Sequence, residues 1–416
     1  MTEFFDALET RSPAEREAAL MAALPAHIAH AQSRSAALGD ILAGVDAASV
    51  TSRAALARLP VTRKSELLAR QQASRAAGRD AFGGFAAIRY GAAMPRLYAS
   101  PGPIYEPEGT ARDYWRAGRA LYAAGLRPGD LAHNAFSYHM TPGAFIMESG
   151  AHAVGCTVFP AGTGQSEQQL QAIAELKPHA YIGTPSFLRI LVEKAAELGS
   201  DISSITKGLV GGEAFPPSLR DWFAERGMAI YQSYATADVG LIAYETRARE
   251  GLVLDEGVIV EIVRPGTGDP VAEGEVGEVV VTVFNPEYPL IRFGTGDLSA
   301  VLPGACPTGR TNTRIKGWLG RADQTTKIRG MFVHPGQVAE IIKRFPEVQR
   351  ARLVVSGEMA DDQMKLLVES GGAEGLAQRV ADAVRDVTKL RGEVEVVSPG
   401  SLPNDGKVIE DARSYK

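Results

Sequence analysis

The stretch "AVGCTVFPAGTGQSEQQLQAIAELKPHAYIGTPSFLRILVEKAAELG", residues 153–199, decides the fold class of this chain. It reads as a buried strand over 153–160, a helix over 166–178, a second strand over 179–184 and a second helix that ends at Gly199. Strands that alternate with helices of this length predict parallel pairing, with helices on both faces of the sheet. Ligands bind such sheets at the carboxyl ends of the strands, so we expect a site there.

The ends of the two helices carry signals of their own. Ser166 and Gln169 have the spacing of a capping box for the first helix. Thr184 is the expected N-cap of the second helix, with Pro185 as its first residue and Gly199 as its stop. These signals support the alternation of strand and helix in this stretch.

The regions on either side extend the pattern and then change it. Two further strands are expected over 205–213 and 228–234, whereas residues 1–60 are rich in alanine with leucine at helical spacing. Short valine-rich runs over 252–301 suggest antiparallel strands. Beyond them, residues 334–399 show the order helix, strand, strand, helix, strand, which is typical of a small α+β domain.

Together these patterns predict an α/β protein of two domains. The large N-terminal domain, residues 1–322, has parallel-rich sheets flanked by helices and a small β-rich portion at about 250–302. The C-terminal domain, residues 323–416, is small and α+β.

Composition excludes several classes of function. A formal net charge of -5, from 44 basic and 49 acidic residues, predicts no nucleic-acid or membrane partner. The N-terminus "MTEFFDALET" is acidic and no apolar run has the length of a membrane span, so we expect a cytoplasmic protein. Two cysteines, Cys156 and Cys306, argue against a disulfide framework and a cysteine-rich metal site. Small-molecule chemistry is the expected function class.

Polar residues follow the predicted strands where a site is expected. Gly211, Gly212 and Glu213 follow one strand, and glycines let a ligand approach the backbone closely. The other reading of these residues is an ordinary turn. Tyr234 offers an aromatic face after the next strand, although it also fits a core position.

Two carboxylates complete this group. Asp238 follows the same strand as the tyrosine. Asp297, in "RFGTGDL", sits in a glycine-flanked turn where a carboxylate could accept two ribose hydroxyls, or form an Asx turn with its own backbone.

These motifs, in this order, resemble those of the phenylacetate-CoA ligase branch of the adenylate-forming enzymes. The resemblance covers most of the chain, including the segments "LPVTRKSELLARQ", "GGE", "SYATADVG", "RFGTGDL", "GRADQTTKIRGMFVHPGQVAE" and "SLPNDGK". It implies an enzyme that activates a carboxylic acid with ATP as an acyl-adenylate and passes the acyl group to CoA. It also implies that the small C-terminal domain is mobile. Dimers are common in this branch, so a homodimer is a candidate assembly.

The resemblance implies a role for each matching residue. Glu213 corresponds to the loop beside adenine and ribose, and Tyr234 to the tyrosine that stacks on adenine. Asp297 matches the ribose-binding aspartate, and Arg321 the arginine beside ribose and phosphate. Asp238 stands where the family has a glutamate that helps to hold Mg²⁺.

Further residues match the moving parts and the acyl pocket. Asp323 corresponds to the hinge of the small domain and Lys407 to the lysine that neutralises the α-phosphate during adenylation. Phe136, Tyr138 and His139 fall in the segment that lines the acyl pocket, although a histidine there also fits an ordinary loop. Some relatives hold a structural zinc on a cysteine-rich run, of which this chain keeps only Cys306, so no zinc is expected.

One segment departs from the family. "RLYASPGPIYEPEG", residues 96–109, stands where the family has a serine-, threonine- and glycine-rich loop that ends in lysine and proline and holds the β- and γ-phosphates. Ser100 and Gly102 remain, whereas Glu106 brings a negative charge. A charge reversal at about 4 Å alters an interaction by roughly 1 to 4 kcal/mol. The sequence therefore indicates a degenerate phosphate loop.

Three functions are compatible with this pattern. The first is an ATP-dependent acyl-CoA ligase whose loop tolerates substitution. The second is a transferase that accepts a preformed acyl-adenylate and forms only the thioester. The third is a sensor or scaffold that binds AMP or an acyl-CoA without turnover. Retention of Lys407 and the hinge argues against the third, because a pure binder needs neither.

Overall fold

A computed structural model of the chain describes residues 3–264, 266–322, 326–329, 331–333, 335–358, 361–372, 374–403 and 408–413. The chain divides into two compact units. Unit 1 comprises Met1–Phe215 and Leu219–Leu319, and unit 2 comprises Pro216–Ser218 and Gly320–Lys416. In the described part of the chain, every helix is too short or too polar to cross a lipid bilayer.

The helices of unit 1 precede and alternate with its strands. The helices are α1 (Pro13–Arg34), α2 (Ala36–Ile41), α3 (Arg53–Leu56), α4 (Lys64–Ala76), α5 (Gly118–Ala123), α6 (Gly143–Val154), α7 (Ser166–Leu176), α8 (Pro185–Leu198) and α9 (Pro217–Ala224), which belongs to this unit from Leu219 onward. The strands are β1 (Thr62–Arg63), β2 (Arg96–Ser100), β3 (Ile104–Glu108), β4 (Leu131–Asn134), β5 (Thr157–Pro160), β6 (Ala180–Gly183), β7 (Lys207–Val210), β8 (Ala229–Thr236), β9 (Gly240–Glu245), β10 (Leu252–Leu254), β11 (Val258–Val263), β12 (Gly277–Val283), β13 (Phe293–Ser299), β14 (Val301–Leu302) and β15 (Arg314–Ile315).

A nine-stranded sheet forms the centre of unit 1, in the order β14-β15-β10-β9-β8-β7-β6-β4-β5. The strands from β8 to β5 pair in parallel, as the alternation of strands and helices predicts. The remaining strands pair antiparallel. Helices α5 and α6 pack on this sheet through a core that includes Leu121, Met147 and Leu209.

A second sheet corresponds to the predicted β-rich portion. Its strands run in the order β1-β13-β12-β11, with antiparallel pairing of β11, β12 and β13 and parallel pairing of β1 with β13. The N-terminal helices cover it through a core of residues such as Leu24, Ile28, Val279 and Val281. Ser12 and Glu15 form a capping box at the start of α1, so the predicted helical N-terminus is confirmed.

The local signals around α7 and α8 have different outcomes. Thr184 caps α8, Pro185 is its first residue and Gly199 ends it with φ of +67°, as predicted. The capping box predicted for α7 is wrong, because Ser166 is already helical and the N-cap residue makes no side-chain bond. The amide of Gln169 instead bonds the buried His133 and the Gly162 carbonyl oxygen.

Unit 2 contains the predicted small α+β domain. Its elements are β16 (Gly320–Arg321), β17 (Thr326–Ile328), β18 (Met331–Val333), α10 (Pro335–Lys343), β19 (Arg350–Glu358), β20 (Asp361–Glu369), α11 (Leu376–Thr388), β21 (Glu393–Val397) and β22 (Ile409–Asp411). The main sheet has the order β21-β20-β19-β22, and its apolar face packs against α10 and α11. Strand β22 and the hairpin of β17 and β18 were not predicted, since they are very short.

Candidate functional site

The carboxyl edge of the nine-stranded sheet contains a topological switch point. From β4 the chain crosses to β5 on one side, whereas from β6 it crosses to β7 on the other. Right-handed crossovers in opposite directions place the connecting helices α6 and α8 on opposite faces, which opens a crevice between the ends of β4 and β6. The loop of residues 135–142 and the start of α8 border this crevice.

The loop after β7 carries the predicted glycines and Glu213. A Cβ on Gly211 would lie 3.1 Å from Ser233 Oγ, which is tight, and Gly212 has φ of +76°. Glu213 is exposed, and its carboxylate accepts a 2.5 Å hydrogen bond from Ser186 Oγ at the start of α8. The loops after β6 and β7 are therefore joined at the edge where a ligand is expected.

Tyr234, Thr295, Asp297 and Trp318 form a hydrogen-bonded group that we call the nucleoside cluster. The Tyr234 hydroxyl donates to Asp297 Oδ2 at 2.8 Å and lies 3.2 Å from Thr295 Oγ1. The indole N–H of Trp318 donates to Asp297 Oδ1 at 3.1 Å. Two donors thus hold the carboxylate in one orientation.

The backbone around Asp297 differs from the expected turn. Asp297 lies within β13, where the ladder with β12 is irregular between Glu278 and Val280. Gly296 has φ of +74°, and the Asp297 N–H bonds Thr295 Oγ1 at 3.1 Å. The predicted glycine-flanked turn is therefore an irregularity inside a strand. It turns the carboxylate toward Tyr234 and Trp318.

Asp238 lies just after β8 and is almost completely buried, with 2% of its surface exposed. Lys64, the first residue of α4, donates to Asp238 Oδ2 at 2.7 Å. Asp238 Oδ1 has no hydrogen-bond partner among the described residues. This arrangement does not fit the predicted Mg²⁺ ligand, because an ammonium group holds one oxygen and the other has almost no accessible surface.

The segment predicted to be a degenerate phosphate loop is a β-hairpin, formed by β2 and β3. Its turn, residues 101–103, is exposed, as are Arg96 and Leu97 at the start of β2. Glu106 is fully buried in β3, where its carboxylate accepts hydrogen bonds from the hydroxyl and the backbone N–H of Ser100. The expectation that Glu106 brings a charge against the phosphates is therefore wrong, since its side chain points into the protein.

The surroundings of Glu106 also disfavour its charged form. Burial raises the pKa of Glu106 well above the usual 4.5, the Asp238 carboxylate raises it further, and Lys64 opposes the rise. Gln71 of α4 holds the same strand by two 2.8 Å bonds to the backbone of Tyr105. Helix α4 thus contributes to both the hairpin and the Asp238 pair.

The predicted acyl-pocket residues lie together on the loop of residues 135–142. Phe136 lies about 3.8 Å from the position of a Cβ on Gly212, so it faces the loop after β7. The hydroxyl of Tyr138 accepts from Asn134 and donates to Glu148 at 2.7 Å, and burial and this bond raise the pKa of Tyr138. His139 is exposed.

Comparison with known proteins identifies the family. The AMP-binding enzyme family matches residues 114–283, and the AMP-binding enzyme C-terminal domain matches residues 330–412. A phenylacetate-coenzyme A ligase of Thermus thermophilus is 32% identical over 402 residues, which covers 87% of each chain. A phenylacetate-coenzyme A ligase of Escherichia coli is 30% identical over 341 residues, which covers 75% of this chain and 77% of the relative.

This chain belongs to the phenylacetate-CoA ligase family of AMP-binding enzymes. Among solved structures, a 2-hydroxyisobutyryl-CoA ligase in complex with 2-HIB-AMP and CoA superposes with a TM-score of 0.82 at 25% identity. That match covers 100% of this chain and 93% of the other. The ligase is thus an adenylate-forming enzyme that uses ATP/AMP and CoA, and the predicted family, fold class and enzyme class are confirmed.

Three residues predicted for the ligase site remain without a structural account. Asp323 and Lys407 lie outside the described residues. Arg321 belongs to β16, of which only the backbone is described. Their roles as hinge, phosphate lysine and ribose arginine stay predictions.

Cys306 belongs to a buried polar network. Its sulfur lies 3.1 Å from Thr308 Oγ1 and 3.8 Å from Thr246 Oγ1. Nearby, Arg310 pairs with the buried Glu9 at 2.6 Å. No group of three metal-ligating side chains occurs within the described ranges, and zinc is not assigned.

Sequence reasoning missed Lys64 and Trp318, which the structure brings to the two aspartates of the ligase. Lys64 falls in the family segment "LPVTRKSELLARQ" but carries no motif of its own. The signal that could have found it is the rarity of lysine, because only eleven of the 44 basic residues of the chain are lysines. Trp318 is one of three tryptophans and lies outside the family motifs quoted above.

Proposed function

We propose that the ligase forms its acyl-adenylate itself, from ATP and an aromatic carboxylic acid, and then transfers the acyl group to CoA. In the first step a carboxylate oxygen attacks the α-phosphorus and pyrophosphate leaves. In the second step the CoA sulfur attacks the acyl carbon, the thiol proton is lost to solvent and AMP leaves. The burial of Glu106 is the observation that carries this proposal.

A triphosphate held where the family has its phosphate loop would meet the exposed turn of the hairpin. An exposed glutamate beside the β- and γ-phosphates would oppose ATP by roughly 1 to 4 kcal/mol. The exposed turn instead consists of Pro101, Gly102 and Pro103, which carry no charge. The turn therefore offers few hydrogen-bond donors to the phosphates, but it does not repel them. Positive charge from other parts of the site would then be enough to hold the triphosphate of ATP.

The nucleoside end supports the same proposal. We assign the ribose hydroxyls to Asp297, whose carboxylate is already oriented by Tyr234 and Trp318. The ring of Tyr234 would stack on adenine, because its hydroxyl is used on the ribose side. Glu213 would border the adenine from the loop after β7.

The roles of the C-terminal residues follow from family membership. Lys407 would neutralise the α-phosphate during adenylation, and Arg321 would lie beside ribose and phosphate. The small domain, residues 323–416, would turn about Asp323 between the two steps.

An aromatic acid is supported by the residues around the switch-point crevice. Phe136 faces Gly212, and Tyr138 packs edge-on against Phe145 with ring centroids 5.2 Å apart. Aromatic side chains favour an aromatic acyl group through offset and edge-to-face contacts. The relatives named phenylacetate-coenzyme A ligases point in the same direction.

A second candidate function is thioester formation from a preformed adenylate. It is favoured by the composition of the exposed turn, because two of its three residues are prolines and lack an N–H donor.

In the proposed ATP-dependent reaction, Mg²⁺ would arrive with the ATP phosphates, and no step uses Asp238 as its ligand. A homodimer and a cytoplasmic location stay predictions.

Acid-dependent exchange of labelled pyrophosphate into ATP tests the proposal. We expect exchange with at least one arylacetic or benzoic acid, and thioester formation when CoA is added. If no acid supports exchange but a synthetic aryl-acyl adenylate and CoA yield thioester, the second candidate is correct. If both assays fail, the protein is a binder of AMP or acyl-CoA.

A further inference from the structure

The pairing of β1 with β13 brings the backbone of Lys64 close to the nucleoside cluster. Strand β1 pairs in parallel with β13, with Arg63 opposite Gly294. Lys64 follows Arg63 and is the first residue of α4, so its backbone lies next to Thr295, the residue that follows Gly294. Thr295 belongs to the nucleoside cluster and lies two residues before Asp297. An α-phosphate is one ester bond from the ribose, so it would lie in the same neighbourhood.

The pair of Lys64 and Asp238 presents its cation to the outside. The side chain of Asp238 is 1% exposed, whereas that of Lys64 is 33% exposed. The carboxylate is thus buried, whereas part of the Lys64 side chain is accessible from the surface. A phosphate that approaches from the surface would meet Lys64 rather than Asp238, and the buried carboxylate of Asp238 holds Lys64 in place.

Glu106, whose pKa is influenced by Asp238 and Lys64, does not cancel this charge at the surface. Glu106 is 0% exposed and bonds Ser100, so it offers no competing anion to a ligand. Lys64 also stands at the N-terminus of the 13-residue helix α4, whose backbone dipole adds partial positive charge there.

We propose that Lys64, positioned by Asp238, contacts the α-phosphate of the nucleotide at the place where a magnesium ligand was expected. The proposal rests on the nucleotide site of the proposed function. Lys64 would stabilise the negative charge that the phosphate carries through adenylation, as a fixed charge that needs no reorganisation. Asp238 acts through Lys64 and is a positioning residue.

Calorimetric binding of AMP and of adenosine to the full-length chain, in buffer with EDTA, tests this role. Lys64→Met should weaken AMP binding roughly 10- to 100-fold and leave adenosine binding within about twofold, since only AMP carries the phosphate. Lys194→Met serves as the matched control, because Lys194 pairs with Glu197 on the surface of α8. It should change neither affinity.

A double variant separates phosphate binding from a structural role. Lys64→Met alone leaves a buried carboxylate without its cation and can unfold the protein. Lys64→Met with Asp238→Asn removes both charges and should restore the melting temperature. If Lys64 binds phosphate, the double variant still binds AMP roughly 10- to 100-fold more weakly than wild type.

Three results would overturn the proposal. They are wild-type AMP affinity in the double variant, an equal loss for AMP and adenosine in Lys64→Met, and a tenfold gain in wild-type AMP affinity when Mg²⁺ replaces EDTA. Each of these leaves the proposed ligase function intact, because wild type still binds AMP. If wild type binds neither AMP nor adenosine, the proposed function fails as well.

Discussion

The nucleoside cluster and the β2–β3 hairpin both carry polar side chains near the expected nucleotide, but these side chains point in opposite directions. In the cluster, Trp318 is 39% exposed and donates to the carboxylate of Asp297, to which we assign the ribose hydroxyls. In the hairpin, Glu106 is 0% exposed and its oxygens are used by Ser100. We therefore propose that the first region receives a ligand, whereas the polar groups of the second stabilise the hairpin itself.

This difference shows that the charge of a side chain says less about ligand binding than the direction in which the side chain points. The sequence predicts that Glu106 opposes phosphates, because it occupies the place of the family's phosphate loop. Its burial makes it a structural residue of the hairpin, and a cation, Lys64, lies on the neighbouring helix α4 beside Asp238. Each of the following predictions tests one side of the contrast.

The largest expected effect comes from Glu106→Lys. It would bury an ammonium group beside Lys64 and remove the bonds to Ser100, so we expect the free energy of unfolding to fall by roughly 3 to 5 kcal/mol. Urea denaturation measures this change. Pro103→Thr, in the exposed turn, should cost less than about 1 kcal/mol. Similar values for the two variants would mean that Glu106 is not buried.

Asp297→Asn should have the next largest effect, and on binding. The amide cannot accept the bonds of Tyr234, Trp318 and two ribose hydroxyls together, so we expect AMP affinity to fall roughly 10- to 100-fold. Calorimetry gives the affinity, and Asp221→Asn on the exposed side of α9 is the control. Unchanged affinity in Asp297→Asn would remove the nucleoside cluster from the site.

Glu106 should also make the stability of the hairpin region depend on pH. Its pKa is raised in the folded state, so the folded chain holds this proton more tightly and the contribution is fully present below about pH 4.5. Above that pH the contribution of Glu106 to the free energy of unfolding falls by at most about 1.4 kcal/mol per pH unit. The fall ends when Glu106 ionises in the folded chain, beside Asp238 and Lys64.

Urea denaturation of wild type and Glu106→Gln across pH 5 to 9 checks this dependence. Because glutamine does not titrate, the variant should gain stability relative to wild type as the pH rises. A difference that stays constant over this range would show that Glu106 titrates normally.

Trp318→Phe should give the smallest change. It keeps an aromatic ring but removes the N–H donor to Asp297, so AMP affinity should fall roughly two- to fivefold. Tryptophan fluorescence adds a second measurement. Wild type should respond to AMP, Trp222→Phe should keep the response, and Trp318→Phe should lose most of it. A full response in Trp318→Phe would place this tryptophan away from the nucleotide.

The limits of sequence reasoning are visible in α7 and α8. The signals of Thr184, Pro185 and Gly199 were correct because they act within one helix turn. The capping box of Ser166 and Gln169 failed because the Gln169 amide finds partners in His133 of β4 and in Gly162 of the loop before α7. A local signal holds only where no distant group offers a better bond.

The sequence by itself determined the alternation of strands and helices, the two domains as expected units, and the placement of Glu213 and Asp238 after strands, whereas Tyr234 and Asp297 lie inside strands. These follow from periodicity, which repeats every two or 3.6 residues. Only the tertiary structure decided that Glu106 points inward and that Lys64 meets Asp238, 174 residues away in the chain. Burial and ion pairing depend on which distant segments surround a side chain, and no local pattern encodes those neighbours.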